Sequence, residues 1–141
     1  EHSYLGRSES VYVYGNAKRT INFTFKVMAT SKVEVSAIYE KLNHLTTLAY
    51  PQYREDDAFK NRMKPPFCSL RIGELFGNDT KNLQGFLSSL SFNWPDSSTW
   101  ETETGKRVPR QCDVTVGYTV LHREPPHHTT KQDEFFGPVV R

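Results

Sequence analysis

Residues 19–51 read RTINFTFKVMATSKVEVSAIYEKLNHLTTLAYP, and the fold is decided in this stretch. Ile21, Phe23, Phe25 and Val27 alternate with Asn22, Thr24 and Lys26, the period of two that gives a strand one apolar face. Ser31 and Glu34 stand at capping-box spacing, where each side chain satisfies a backbone N–H that a helix start leaves open. Val35, Ile38, Leu42, Leu45 and Ala49 follow in steps of three and four and form one apolar stripe. Pro51 disfavours helical geometry at Tyr50, so a helix is predicted over 32–50.

The rest of the chain reads as strand and loop. Val11-Tyr12-Val13-Tyr14 is a short strand that Gly15-Asn16 turns into the next, a predicted hairpin. Pro51 to Pro66 is a polar connection of mixed charge. Phe67 to Phe76 reads as a strand with Cys68, Leu70 and Ile72 on one side, followed by a glycine-bracketed loop. Gly85 to Trp94 is a strand whose Phe86, Leu90, Phe92 and Trp94 are predicted to share a face. A Ser-, Thr- and Glu-rich segment leads to a final strand over roughly Val108 to His122, in which Val114, Val116, Tyr118 and Val120 alternate with polar or small residues. These last two strands are long against a usual strand length of about 5–6 residues, and a long hairpin of this kind leaves edges that call for a partner. Residues 1–126 thus form one β domain with a single helix, and 127–141 an extended C-terminal tail.

Composition narrows the possibilities. A chain of 141 residues is one domain, able to bury roughly 70% of its unfolded surface. Only 36% of residues are hydrophobic and the mean hydropathy is −0.64, yet 13% are aromatic, so apolar surface is concentrated in few large side chains. That suits a thin core with aromatic contacts to partners and does not suit a disordered chain. Eighteen basic against 16 acidic residues give a net charge of +2, without the clustered basic face of a nucleic-acid binder. Lys60, Arg62 and Lys64, and Lys106, Arg107 and Arg110, read as solvated loop clusters. No apolar run approaches the ~20 residues of a membrane span, and no signal-peptide pattern opens the chain. Glu1 in place of a methionine reads as a processed or trimmed chain. Cys68 and Cys112 fit free, mostly buried thiols, although the sequence leaves their pairing open. The sequons at Asn22 and Asn78 are short enough to arise by chance, and Asn22 sits inside a strand.

Catalytic signatures are lacking. Asp56/Asp57 and Glu101/Glu103 are neighbours in charged loops and do not read as carboxylates set across a cleft. His122, His127 and His128 have no ligand at a recognised metal spacing, and two prolines extend the chain between them. Neither cysteine sits in a nucleophile motif, and Gly73, Gly77 and Gly85 are too far apart to cradle a phosphate. No catalytic, metal or cofactor residue is assigned, and a non-enzyme is expected. Exposed aromatics are the better lead, because Trp and Tyr bury large areas at small entropic cost in interfaces. Tyr4, Tyr12, Tyr14, Trp94, Trp100, Phe135 and Phe136 are the candidates; Trp94 fits a core position as well as an interface.

The order of landmarks resembles the tube-initiator or baseplate–tube junction proteins of contractile-tailed bacteriophages. The matching pieces are TINFTFKVMA, VSAIYEKLNHLTTLAYPQY, NRMKPPFCSLRIGELF, GFLSSLSFNW and VPRQCDVTVGYTVLHREPP, in that order, and the resemblance covers about three-quarters of the chain, from near Tyr12 to Pro126. The resemblance implies a mainly β fold of the tail-tube type, an antiparallel β-sandwich or barrel with a flanking helix. It further implies a hexameric ring whose subunits continue one another's strands around a channel, with tail-tube and baseplate hub proteins as partners. DNA would only pass through the lumen, no membrane would be involved, and the virion would be assembled in the bacterial cytoplasm. The chain departs from the pattern in its mildly basic charge, where tail lumens are commonly acidic; the extra N-terminal region that junction proteins often carry has no counterpart in residues 1–141, as expected of a trimmed chain.

On this reading the subunit interface takes in Trp94, Trp100, Thr115, Thr119, Phe135 and Phe136. Thr115 and Thr119 belong to the long hairpin, expected to contribute a wall shared between subunits. Pro125-Pro126 ends the last strand, and beyond it Phe135, Phe136, Val139 and Val140 are the only large apolar groups in a polar tail. Such a segment orders only against a surface, expected to be a neighbouring subunit or another tail protein with Phe135 and Phe136 in a pocket. A carbohydrate-binding β-sandwich, with Trp94, Trp100 and tyrosines as stacking platforms, is the alternative.

Overall fold

A computed structural model describes residues 14–53, 63–77, 82–122 and 136. Residues 11–13 of the first predicted strand, most of the 51–66 connection, the second sequon and the start of the tail, with the domain boundary placed in it, lie outside the described residues. The elements run β1 (Thr20–Met28), α1 (Lys32–Thr47), β2 (Gln52–Tyr53), β3 (Met63–Lys64), β4 (Phe67–Leu70), β5 (Leu83–Asn93) and β6 (Gln111–Val120). The protein is mainly β with one helix, and its principal sheet is a curled antiparallel half-barrel in the order β1-β6-β5-β4. β2 and β3 form a separate two-residue ladder. Among the described residues it is the helix, and not a second large sheet, that covers the main sheet.

The helix begins where the capping box places it. Ser31 Oγ accepts from the Glu34 N–H at 3.4 Å, and Glu34 Oε2 accepts from the backbone of Ser31 at 3.3 Å and of Thr30 at 2.7 Å. The Thr30 hydroxyl also donates to Glu34 Oε2, and this bond is the main cause that holds the carboxyl below its ordinary pKa. Regular helix ends at Thr47, three residues before the predicted end. The chain winds on through single turns, with Ala49 N–H donating to Thr46 O and Tyr50 N–H to Thr47 O, until Pro51 stops it. Within the stripe Val35 and Leu42 are buried, while Ile38, Leu45 and Ala49 are half-buried.

The strand order corrects the expectation of a bare hairpin. β5 and β6 do pair over their length, but β6 also pairs with β1, from Thr20↔Thr119 to Met28↔Gln111, and β5 with β4. Both long strands are therefore inner strands. The final strand starts at Gln111, three residues later than the pattern suggests, because Pro109 has no N–H to give a ladder. The strand predicted over 67–76 ends at Leu70, and Ile72 and Phe76 close a tight turn by pairing with each other.

A β-bulge changes which residues of β5 face the core. The register passes from Leu87↔Tyr118 to Ser89↔Gly117, leaving Ser88 as the extra residue. Leu83 and Leu87 before the bulge and Leu90 and Phe92 after it consequently pack on the same core. Phe86 does not share their face, contrary to the alternation. It stands opposite Thr119 and Phe67, on the other side of the sheet.

The core has two parts joined by Phe23 and Leu87. Under the helix, Leu42 packs with Cys112, Val114 and Val116, and Tyr39 Oη donates to Pro109 O at 2.8 Å. At the far end Ile21, Tyr118 and Val120 gather Cys68, Leu70, Phe76 and Leu83 around them. The buried Tyr118 hydroxyl lies 2.8 Å from Cys68 O and 2.9 Å from Leu83 O, and its proton is donated between these two carbonyls. Burial pushes this phenol far above its ordinary pKa. Gly85 makes the tight contact possible, since a Cβ there would sit 2.0 Å from Thr119 O.

Candidate functional site

Because β1, β5 and β6 alternate strictly apart from the bulge, the residues not used by the core assemble on the outer face of the sheet. Thr20, Asn22, Thr24, Lys26 and Met28 of β1 lie beside Thr119, Gly117, Thr115, Asp113 and Gln111 of β6, and Ser89, Ser91 and Asn93 of β5 continue the rows. Thr24 and Thr115 hydroxyls hydrogen-bond at 3.1 Å. Gly117 leaves a bare backbone patch onto which Ser89, Ser88 and Asn22 side chains close. Lys26 and Asp113, 4.0 Å apart, oppose each other's charge. The face is thus one of hydroxyls and amides with balanced charge. At one end it carries two rings: Phe67, which is exposed, and Phe86 opposite it.

The sheet has two outer strands among the described residues, β1 and β4. Val120 N–H donates to Arg19 O, and Ala29 N–H to Arg110 O. In an antiparallel ladder these bonds place the odd-numbered residues of β1 toward β6. Thr20, Asn22, Thr24, Lys26 and Met28 consequently direct their backbone N–H and C=O groups away from the sheet, along a nine-residue edge.

The expected interface residues are dispersed. Thr115 and Thr119 stand on β6, an inner strand, so their backbones are committed within the chain and only their outer-face side chains are offered to a neighbour. Trp94 is half exposed and stacks on Phe92 at 6.0 Å, and a hydrogen bond between its side chain and Tyr39 acts against the burial that raises the Tyr39 pKa. Trp100 is 60% exposed on the 94–110 loop. Phe136 rests on its own chain, 5.6 Å from Phe76 and beneath the Arg19 guanidinium. Phe135, Tyr4, Tyr12, His127 and His128 lie outside the described residues, as do Asp56 and Asp57.

Sequence reading did not find the contacts that tie the loop carrying Trp100 to the start of β6. Glu101 is buried and receives a 2.7 Å bond from Arg110 Nη2, which is the main cause holding its carboxyl below the ordinary range. Ser98 Oγ accepts the Gln111 N–H at 3.1 Å, and Trp100 bridges to Pro109. Spacing alone gives no sign that Glu101 and Arg110, nine residues apart, are partners while Glu103 faces solvent with Lys106 and Lys32 nearby.

Cys68 and Cys112 are free thiols. The register sets Cys68 level with Val120 and Cys112 at the other end of β6, about 26 Å away at strand rise. A disulfide needs Cα atoms within about 7 Å. Burial raises both thiol pKa values, the opposite of what activates a nucleophile. No helix of the described chain is long and apolar enough to cross a membrane. No protein-family model, curated protein or solved structure matches the chain.

Proposed function

We propose that the protein is a non-enzymatic, ring-forming virion component of the phage tail-tube type, set at the junction of baseplate and tail tube, where it initiates or caps tube assembly. Six copies would join edge to edge, tail-tube and baseplate hub proteins would bind the two ends of the ring, and assembly would occur in the bacterial cytoplasm. The observation that carries this reading is the division of the sheet: the helix and apolar side chains cover one face, and the other is a hydroxyl- and amide-rich surface with balanced charge. As a channel lining it would give passing DNA no row of cations to hold its phosphates. The β1 edge, with its outward N–H and C=O groups, is what a neighbouring strand would extend.

Negative-stain imaging and mass-resolved chromatography of the purified chain test this directly, with rings around an open channel as the expected result. A variant makes the test specific. Thr24→Pro removes an N–H from the outward-facing edge of β1 and none from the β1–β6 ladder, so it should abolish rings while the monomer stays folded. A wild-type chain that remains monomeric at every concentration, without rings, rejects the reading. The exposure of Trp94 and Trp100 favours a carbohydrate-binding module as the second reading. Glycan binding that is lost in Trp100→Ala, from a protein that forms no rings, would replace the first by the second.

A further inference from the structure

The end of the core away from the helix is closed in a different way. Arg19 immediately precedes β1, one outer strand of the half-barrel, and Phe76 follows β4, the other. The curl of the sheet brings them together, so that the Arg19 guanidinium carbon lies 5.7 Å from the centre of the Phe76 ring. Both are held by backbone. Arg19 O accepts the Val120 N–H at 3.0 Å, and Ile72 and Phe76 exchange hydrogen bonds across their tight turn. Onto this prepared pair comes the ring of Phe136, 4.9 Å from the guanidinium and 5.6 Å from Phe76.

We propose that Arg19 and Phe76 form a docking site for an aromatic side chain, and that its occupant is Phe136 of the same chain, which fastens the C-terminal segment to its own domain. The chemistry of the site selects a ring. A guanidinium is planar and weakly hydrated and is attracted to the electron-rich face of an aromatic, while Phe76 offers a tilted ring contact at 53°. An aliphatic side chain would fill the space but provide neither interaction. Arg19 is half-buried and desolvation lowers its pKa, so its charge is less screened than that of a surface arginine. Two acids, Asp133 and Glu134, precede Phe135-Phe136 in sequence and are opposite in sign to the Arg19 cation of the site. Docking of this kind occurs within one chain and does not depend on ring formation. It differs from the expectation that the tail docks on a neighbouring subunit.

The test reads the Arg19 side chain by NMR in the full-length protein. Ring currents from two phenyl groups should shift its δ and ε proton signals upfield, to the same extent at all protein concentrations. Phe136→Leu keeps an apolar group at the surface and removes the ring; it should move these signals back downfield while the backbone amide spectrum of β1–β6 stays in place. Phe135→Leu should leave them where they are. Arg19 signals that do not respond to Phe136→Leu, or that respond as strongly to Phe135→Leu, overturn the assignment of the occupant. An upfield shift that grows with concentration overturns docking within one chain and assigns the site to a second copy.

Discussion

The two faces of the main sheet are built from alternate residues of the same strands, yet they are held to different standards. On the core face of β6, Val114, Val116 and Tyr118 have 0–2% of their surface exposed, and Gly85 of the neighbouring β5 has no room for even a methyl group. On the outer face, one residue away in each case, Thr115 is exposed and its hydroxyl partner Thr24 is exposed as well. Stability resides mainly in one parity of the sequence, which leaves most positions of the other available for a surface function.

Substitutions on the core face should break the fold first. Gly85→Ala puts a Cβ against the Thr119 carbonyl of the neighbouring strand, and we expect a loss of ~4 kcal/mol or more in chemical denaturation. Gly15, where an added methyl group would meet nothing within 4 Å, is the control and should change stability by less than about 0.5 kcal/mol when made alanine. Leu42→Ala should cost ~2–5 kcal/mol, since it empties the helix side of the buried cluster with Cys112, Val114 and Val116. A cost under about half a kilocalorie would mean that the helix does not cover this face.

The Glu101–Arg110 pair in the loop leading into β6 should give an intermediate, pH-dependent effect. Its carboxyl has a lower pKa folded than unfolded, so its contribution is present above the ordinary carboxylate range of about pH 4–5 and is lost as pH falls through the folded value. Glu101→Gln should therefore be less stable than wild type at neutral pH, and the two thermal midpoints should converge in acid. Midpoints separated by the same amount at pH 3 and pH 7 would exclude this linkage. The smallest effect belongs to the outer face. Thr115→Ala removes one exposed hydroxyl hydrogen bond, with an expected change of about 0.5 kcal/mol in the same denaturation assay. A loss as large as that of Leu42→Ala would show that the outer face is structural too.

These contrasts follow how far each feature was readable in the chain. β1 and the helix start were legible because period, cap and stop signals lie within a few residues of one another. The outer-face polarity of β1 and β6 follows from the same alternation. The flanking of β5 and β6 was not legible, since pairing with β1 joins residues about 90 positions apart and no local signal sets it. Nor was the bulge, because Ser88 and Ser89 are chemically alike and only the register tells which is extra. The Arg19–Phe76–Phe136 contact needs the curl of the sheet to bring its three parts together. Its residues look unrelated in sequence, and Phe136 by itself suggested a partner elsewhere.

The bulge also determines which changes of length the protein can accept. The loop 94–110 joins β5 to β6 without fixing the facing of either strand. β5 is different: loss of the unpaired Ser88 would leave a regular strand with Leu83, Leu87, Leu90 and Phe92 still on the core face, whereas loss of a paired residue such as Phe86 or Ser91 would turn a neighbouring leucine outward. In descendants of this chain, insertions and deletions should accumulate in the loops, whereas within β5 a single-residue deletion should survive at the bulge and not among the paired residues.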